Sequence, residues 1–171
     1  EQGFDINHRL VTGWVPPVVT ECLSFAMPYC DNLSVFALDR ESSIAGLKSL
    51  LKAFEAYGFE MHEVTLGESA AVVLGGLMNG AEGFLHAKAE KLALLQGAFL
   101  WLSEGPVVTG RAIERILGHF THAVLPVRPL LSIPRALYTF IKDSYETAQP
   151  LWRSAAYEAK VLVALLPLAV A

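Results

Sequence analysis

The sequence predicts an α+β protein in which short strands precede a series of helices. Apolar runs joined by polar turns predict β-hairpins at residues 23–38 and 71–86. From Lys88 onward, apolar residues recur three and four positions apart, as they do on one face of an α-helix. This change of period predicts two domains, a β-rich part at residues 1–86 and a helical part at residues 87–171.

The first hairpin has its turn at the tetrapeptide Tyr29-Cys30-Asp31-Asn32. Asp and Asn tolerate turn conformations, and Asn also adopts φ > 0. Both faces of the outgoing strand are mostly apolar, which predicts that Val35 and Phe36 are buried on opposite faces. A carboxylate at the tip of such a hairpin suits a hard cation, although a plain turn between two strands would look the same.

A helix is predicted for residues 44–57, with Ser42 or Ser43 as its N-cap and Gly58 just past its end. Its apolar face carries Ile44, Leu47, Leu50 or Leu51, and Phe54. The second hairpin combines a strand at residues 71–78, a turn at Asn79-Gly80 and a return strand at residues 84–86.

Four helical patterns follow, and apolar stripes define the first three. The stripes are Leu92, Leu95, Phe99 and Leu102; then Ile113, Ile116, Leu117, Phe120 and Val124, with Thr109 as N-cap; then Leu137, Phe140, Ile141 and Tyr145, with Pro134 in the first turn. The fourth helix covers residues 150–166.

The composition is that of a folded chain with one sizeable core or two small ones. The 171 residues are 53% hydrophobic and 18% charged, which excludes wholesale disorder. The formal net charge is −4, so any contact with nucleic acid has to come from a local basic face. Cys22 and Cys30 are too few for a disulfide scaffold and favour a reducing compartment, which predicts an intracellular protein of the cytoplasm or nucleus.

The two ends of the chain carry no targeting or membrane-spanning pattern. Residues 1–9 have charges of both signs and no apolar run, unlike a signal peptide. Residues 161–171 are apolar but fall well below the roughly 20 residues that span a bilayer, so we expect a buried element and no membrane contact. The chain begins without Met and stops inside this apolar stretch. We therefore expect a fragment whose downstream region covers Leu162, Val163, Leu166, Leu168 and Val170.

The turn tetrapeptide and the segments after it resemble the end of the reverse transcriptase palm. In that family Tyr-x-Asp-Asp lies at the turn of the central hairpin, and an apolar strand follows. Here the tetrapeptide is followed in order by the helix, by Gly58-Phe59 and by a strand with Leu74-Gly75. The remainder, through Trp152, is similar to the thumb and connection of retroelement polymerases, most closely those of DIRS-like retrotransposons. The resemblance covers roughly residues 28–166.

The resemblance implies a fragment of an RNA-directed DNA polymerase, an enzyme that transfers nucleotides with two Mg²⁺ ions. It gives Asp31 the role of catalytic metal ligand and places neutral Asn32 where the family has a second aspartate. The acids upstream of the turn are Glu1, Asp5 and Glu21, and none matches the context of the family's other essential aspartate. We therefore expect the chain alone to be inactive and Mg²⁺ to be bound by the complete enzyme.

The resemblance also implies the partners and binding residues. The partners are template–primer and dNTP, with upstream palm and fingers and a downstream nuclease or recombinase region. Substrate-binding positions are Tyr29, Gly58, Leu74, Gly75 and Gly76, of which the last three resemble the hairpin that grips the primer. The same glycines would fit an ordinary β-bulge equally well. Nucleic-acid contacts are expected from Lys88, Lys91, Arg111 and Arg115, although scattered solvation of helices explains these cations as well.

Other interpretations of the polar residues stay open. His62 stands near the position of a family lysine and is either a proton donor or a solvated loop residue. His119 and His122 are spaced like two metal ligands, but no third ligand accompanies them and Arg115 on the same face would repel a cation, so a solvated polar face is the default interpretation. The competing class of function is a non-enzymatic helical interaction module or a decayed polymerase copy.

Overall fold

The computed structural model describes residues 9–11, 13–15, 18, 24–30 and 32–169. The chain forms two compact units, Glu1–Ser69 and Ala70–Ala171. Helices and small antiparallel sheets are both present, which confirms the α+β class. The boundary between these units lies at residues 69 and 70, so the second hairpin groups with the helices, whereas the sequence predicted a domain boundary at residues 86 and 87.

The first unit contains strands β1, Phe25–Tyr29, and β2, Asn32–Phe36, followed by helix α1, Arg40–Ala56. The strands are antiparallel with Tyr29 opposite Asn32, which confirms the predicted hairpin. Val35 and Phe36 are half-buried rather than buried, which corrects the expected full burial on both faces. The ring of Phe36 stacks on that of Phe25 with centroids 5.2 Å apart.

Helix α1 begins four residues earlier than the sequence predicted. Asp39 is its N-cap, because the Asp39 carboxylate accepts a hydrogen bond of 2.7 Å from the Ser42 N–H. Neither Ser42 nor Ser43 is the cap, so that prediction was wrong. Gly46 is the buried residue of α1, and a Cβ there would lie 3.2 Å from Val35 Cγ1, which shows how closely helix and hairpin pack.

The end of α1 confirms the prediction for Gly58. Gly58 has φ +78°, and its N–H donates to the Glu55 carbonyl at 3.0 Å. The Phe59 N–H donates to the Phe54 carbonyl at 3.0 Å, and the two rings meet edge to face. This pair of bonds and the apolar contact form a complete Schellman motif.

The second unit begins with a three-stranded antiparallel sheet of β3, Ala70–Val73, β4, Gly76–Asn79, and β5, Phe84–Ala87. The predicted single strand over residues 71–78 was wrong. Leu74 and Gly75 have φ of 50° and 79° and form a two-residue turn that brings Val73 opposite Gly76.

The turn between β4 and β5 was predicted correctly from Asn79-Gly80. The Asn79 carboxamide oxygen accepts hydrogen bonds from the N–H groups of Ala81 and Glu82, at 3.1 and 3.2 Å. Asn79 therefore closes the turn with its side chain as well as with its backbone.

The helices are α2, Ala89–Ser103, α3, Gly110–Ala123, α4, Arg135–Asp143, and α5, Arg153–Leu165, with 3₁₀ segments at Leu125–Ser132 and Leu166–Leu168. A short pair of strands, β6 at Val107–Val108 and β7 at Gln149–Pro150, links two of the connections. The start of the fourth predicted helix was therefore wrong, because residues 149–150 are extended.

The core of this unit includes the buried members of the predicted helical stripes, together with residues of α5 and of the connections between the helices. Phe99 of α2 meets Phe120 of α3 edge to face, with centroids 5.4 Å apart. Thr109 caps α3 as predicted, with its hydroxyl oxygen accepting from the Ala112 N–H at 3.3 Å. Tyr145 is an exception, because it lies in the loop after α4 and is exposed.

The C-terminal apolar stretch packs on the unit's own helices. Leu162, Leu166 and Ala169 are buried in the core, whereas Leu168 is 68% exposed. The expectation that a downstream region covers Leu162 and Leu166 was therefore wrong, and Val170 lies outside the described residues.

Candidate functional site

The tip of the first hairpin is the candidate catalytic position. Asp31 lies outside the described residues, as do the upstream acids Glu1, Asp5 and Glu21. Asn32 is exposed as the first residue of β2, and Tyr29 opposite it is 55% exposed. The sequence associated a positive φ at this turn with Asn. Among the described residues of the turn, Cys30 has the positive φ, at 51°, and its thiol is exposed.

The hairpin tip alone does not fit a pair of Mg²⁺ ions. Its described residues, Tyr29, Cys30 and Asn32, supply no carboxylate, and among the described residues no three or more His, Cys, Asp or Glu side chains are grouped to hold a metal. Asn32 offers a neutral carbonyl oxygen, a weaker ligand than a carboxylate. No catalytic step is therefore derived from these residues.

Gly58 and the loop after it have a structural role at the end of α1. Gly58 terminates α1 with a positive φ, and the loop after it is exposed, including His62. The histidine is thus a solvated loop residue in this unit, the second of the two interpretations that the sequence left open.

In the second unit, the structure brings the tip of the β3–β4 hairpin against helix α3. A Cβ added to Gly75 would lie 3.1 Å from His122 Cε1, so the turn rests on the imidazole ring. Lys91 Nζ of α2 lies 3.1 Å from His122 Nδ1. An ammonium group only donates, so His122 Nδ1 is the acceptor in this contact. Two predicted site residues, Gly75 and Lys91, therefore meet at His122.

The other predicted turn residues lie beside this contact. Leu74 is 43% exposed at the tip, and Gly76 begins β4, where a Cβ would meet Leu85 Cδ1 at 3.4 Å. The turn needs Gly75 for its conformation and for its approach to His122. The sequence analysis selected Leu74-Gly75-Gly76 as a site but predicted that these residues belong to a strand, whereas the structure has a turn at Leu74-Gly75.

Helix α3 presents a basic exposed face. Arg111, Arg115, His119 and His122 are exposed at intervals of three and four residues, which places them in one row about 16 Å long. We call these four residues the α3 basic face. Lys91 extends it through His122, and Lys88 precedes Lys91 by one turn at the start of α2.

Glu114 is an acidic residue of α3 that lies beside the α3 basic face. Glu114 accepts a hydrogen bond of 2.8 Å from the Tyr145 hydroxyl and is held to one side of the row. This hydrogen bond and the charge of Glu114 raise the pKa of Tyr145 above its ordinary value of 10.0. The row thus combines two arginines with two histidines and can contact the phosphates of a nucleic acid backbone.

The sequence identified half of this face. It assigned Arg111 and Arg115 to nucleic acid, whereas it interpreted His119 and His122 as a solvated polar face that also carries Arg115, with a metal site as the less favoured alternative. Their spacing of eight and eleven residues from Arg111 is the signal that places all four on one face. The contact between Gly75 and His122 joins residues 47 positions apart and has no local signal in the sequence.

Among the described residues, no helix is both long enough and apolar enough to cross a membrane.

Comparisons with protein-family models, with curated proteins and with solved structures found no match for the chain.

Proposed function

We propose that the chain is the end of the palm, with the thumb and connection, of a retroelement RNA-directed DNA polymerase. The register of the first hairpin carries the proposal. Tyr29 pairs with Asn32, and Asp31 stands between these two positions in the sequence, as the metal-binding aspartate does in the palm hairpin of this family. In the complete enzyme Asp31 would hold Mg²⁺ for nucleotidyl transfer to the primer.

The order of the following elements supports the same function. Gly58-Phe59 follows the end of helix α1, and a tight turn comes later at Leu74-Gly75. Most of the chain after residue 88 is helical. These are the positions at which the resemblance has the Gly-aromatic pair, the primer-gripping hairpin and the thumb. The contribution of this chain is to bind template–primer through the α3 basic face and Lys91.

Binding to a labelled RNA–DNA hybrid tests this contribution. The double variant Arg111→Gln/Arg115→Gln should weaken binding and reduce the slope of log K against log salt by about 2, roughly 1 per lost phosphate contact. Lys48→Gln/Lys52→Gln removes the same charge from the exposed side of α1 and is the matched control. Equal effects of the two double variants would contradict the assigned face.

Primer extension tests the enzyme itself. The chain alone should extend no primer with Mg²⁺, because it lacks the second carboxylate that two ions require. A longer form that includes the upstream palm should be active, and Asp31→Ala should abolish that activity. Asn32→Asp should raise the affinity for Mg²⁺ by restoring a charge. Retained activity of the Asp31→Ala form would exclude the catalytic role of Asp31.

A helical interaction module is the second candidate, and helix α2 favours it. Leu94 is 76% exposed and Leu100 54% exposed on the side opposite the buried Phe99. A helix that is apolar all round is ordinarily covered on all sides. If the α3 charge variants leave hybrid binding unchanged and Leu94→Lys abolishes association with a protein partner, this second function replaces the first.

A further inference from the structure

A shallow groove separates the C-terminal end of α2 from the first half of α5. Its volume is about 260 Å³, and its lining includes Glu104 and Gly105 after α2 and Arg153, Tyr157 and Lys160 of α5. All of these residues belong to the second unit, and none is part of the α3 basic face.

Helix α5 presents the three lining residues on one side because of their spacing. Arg153, Tyr157 and Lys160 are four and three residues apart, so they form a row about 10 Å long. The buried side of α5 is made by Ala155, Ala159 and Leu162. Tyr157 is left 68% exposed, between two exposed cations.

An exposed aromatic ring flanked by cations has the chemistry of a single-stranded nucleic acid site. One base of a single strand can stack on the ring, while the phosphates on either side meet the cations. A duplex cannot use this arrangement, since its bases are already stacked on one another.

Glu104 adds a carboxylate to the lining of the groove. Its carboxylate repels phosphates and accepts hydrogen bonds from the amino or imino groups on the edge of a base. The backbone of a bound strand is therefore directed along Arg153 and Lys160, and the base edge towards Glu104.

We propose that this groove, which we call the α5 groove, binds single-stranded nucleic acid by stacking a base on Tyr157. The inference adds a site to the proposed function and does not depend on the polymerase chemistry, because it uses none of the residues of the hairpins or of α3.

Fluorescence anisotropy with labelled single-stranded oligonucleotides tests the site. The experiment uses the Arg111→Gln/Arg115→Gln background, so that the α3 basic face does not dominate binding. In this background Tyr157→Ala should weaken binding about 5- to 100-fold, the loss expected for one stacked base. Tyr157→Phe should bind within about threefold of its parent, because the ring is retained. Arg153→Gln and Lys160→Gln should each lower the salt slope by about 0.7.

Three controls separate the possible outcomes. Tyr138→Ala removes another exposed tyrosine, from α4, and should leave binding unchanged. Urea unfolding of every variant shows whether a loss of binding comes from a loss of folding. Duplex binding by the otherwise unsubstituted chain should be insensitive to Tyr157→Ala.

The proposal is overturned if folded Tyr157→Ala binds the single strand as tightly as its parent. It is also overturned if the cation variants weaken binding and Tyr157→Ala does not, because the groove is then an electrostatic surface without stacking. Failure of the proposed function is distinct, since it appears as unchanged hybrid binding in the α3 variants.

Discussion

Gly110 is the residue at which α3 and the end of α4 come closest. Its N–H donates to the Ser144 carbonyl at 2.7 Å, and the Arg111 N–H donates to the Tyr145 carbonyl at 3.0 Å. These bonds satisfy two N–H groups of the first turn of α3, which have no partners within their own helix. A Cβ on Gly110 would lie 2.6 Å from the Ile141 carbonyl oxygen, and backbone atoms cannot swing aside as a side chain would.

Gly110→Ala should therefore destabilise the second unit by about 1–3 kcal/mol, the usual cost of overpacking. Gly118→Ala is the matched control on the same helix. No described atom lies within 4 Å of its added Cβ, so it should stabilise the unit by about 0.5–1 kcal/mol through helix propensity. Urea denaturation measures both changes, and a neutral Gly110→Ala would contradict the close approach.

The hydrogen bond between Tyr145 and Glu114 links stability to alkaline pH. The pKa of Tyr145 is raised in the folded state, so the folded chain holds the phenol proton more tightly than the unfolded chain does. The stabilisation is fully present below pH 10.0 and is lost as pH rises through the raised pKa.

Tyr145→Phe should accordingly be less stable than the parent below pH 10, and the difference should shrink above it. The other tyrosines are common to both proteins, so their titration cancels in the comparison. Urea midpoints measured from neutral to alkaline pH give the difference. A constant difference across this range would exclude the coupling of the phenol to Glu114.

At the scale of elements, α4 receives its N-terminal cap from another helix. Pro134 precedes α4 and offers no capping side chain. Instead, the two carboxylate oxygens of Glu158 on α5 accept hydrogen bonds from the N–H groups of Ala136 and Leu137, at 2.8 and 3.0 Å. A negative charge at this position also interacts favourably with the helix dipole.

Glu158→Ala should cost about 1.5–3 kcal/mol, because it removes charge-assisted hydrogen bonds and leaves two N–H groups unpaired. Glu158→Gln keeps one acceptor oxygen and should lose less. Glu146→Ala, an exposed loop residue, should stay within about 0.5 kcal/mol of the parent. The order Ala, Gln, parent in denaturation midpoints checks the cap, and equal midpoints for all three would contradict it.

The sequence predicted those elements whose signals are local. The apolar stripes of α2 and α3, the cap at Thr109 and the terminating Gly58 are all readable within one or two turns of helix, and all were confirmed. The start of α1 was predicted too late, because Ser42 and Ser43 are nearer in the sequence than Asp39 to the first residue of the apolar stripe.

Two features had no local signal. The turn at Leu74-Gly75 places a leucine at positive φ, a conformation that residue type does not predict. The cap on α4 joins residues more than 20 positions apart. The tertiary arrangement determines the cap on α4, as it does the meeting of Gly75, Lys91 and His122 at the candidate site.

At the scale of the whole molecule, helix α2 carries an exposed apolar surface that the sequence did not predict. Leu162 and Leu166 are buried in the core. Leu94 and Leu100 are exposed on the outer side of α2, with Gly97 between them and no described atom within 4 Å of a Cβ added there. Burial of a leucine side chain contributes about 1.5–3 kcal/mol, so this surface favours association.

We therefore expect the chain to self-associate at micromolar concentration through α2. Leu94→Lys should shift the population towards monomer, because association would then bury an ammonium group among apolar side chains. Leu168→Lys is the matched control, since Leu168 is 68% exposed and Leu94 76% exposed, and it should leave association unchanged. Sedimentation velocity distinguishes the two variants. A monomeric parent would contradict the expected association, and an equal effect of both substitutions would contradict the assignment to α2.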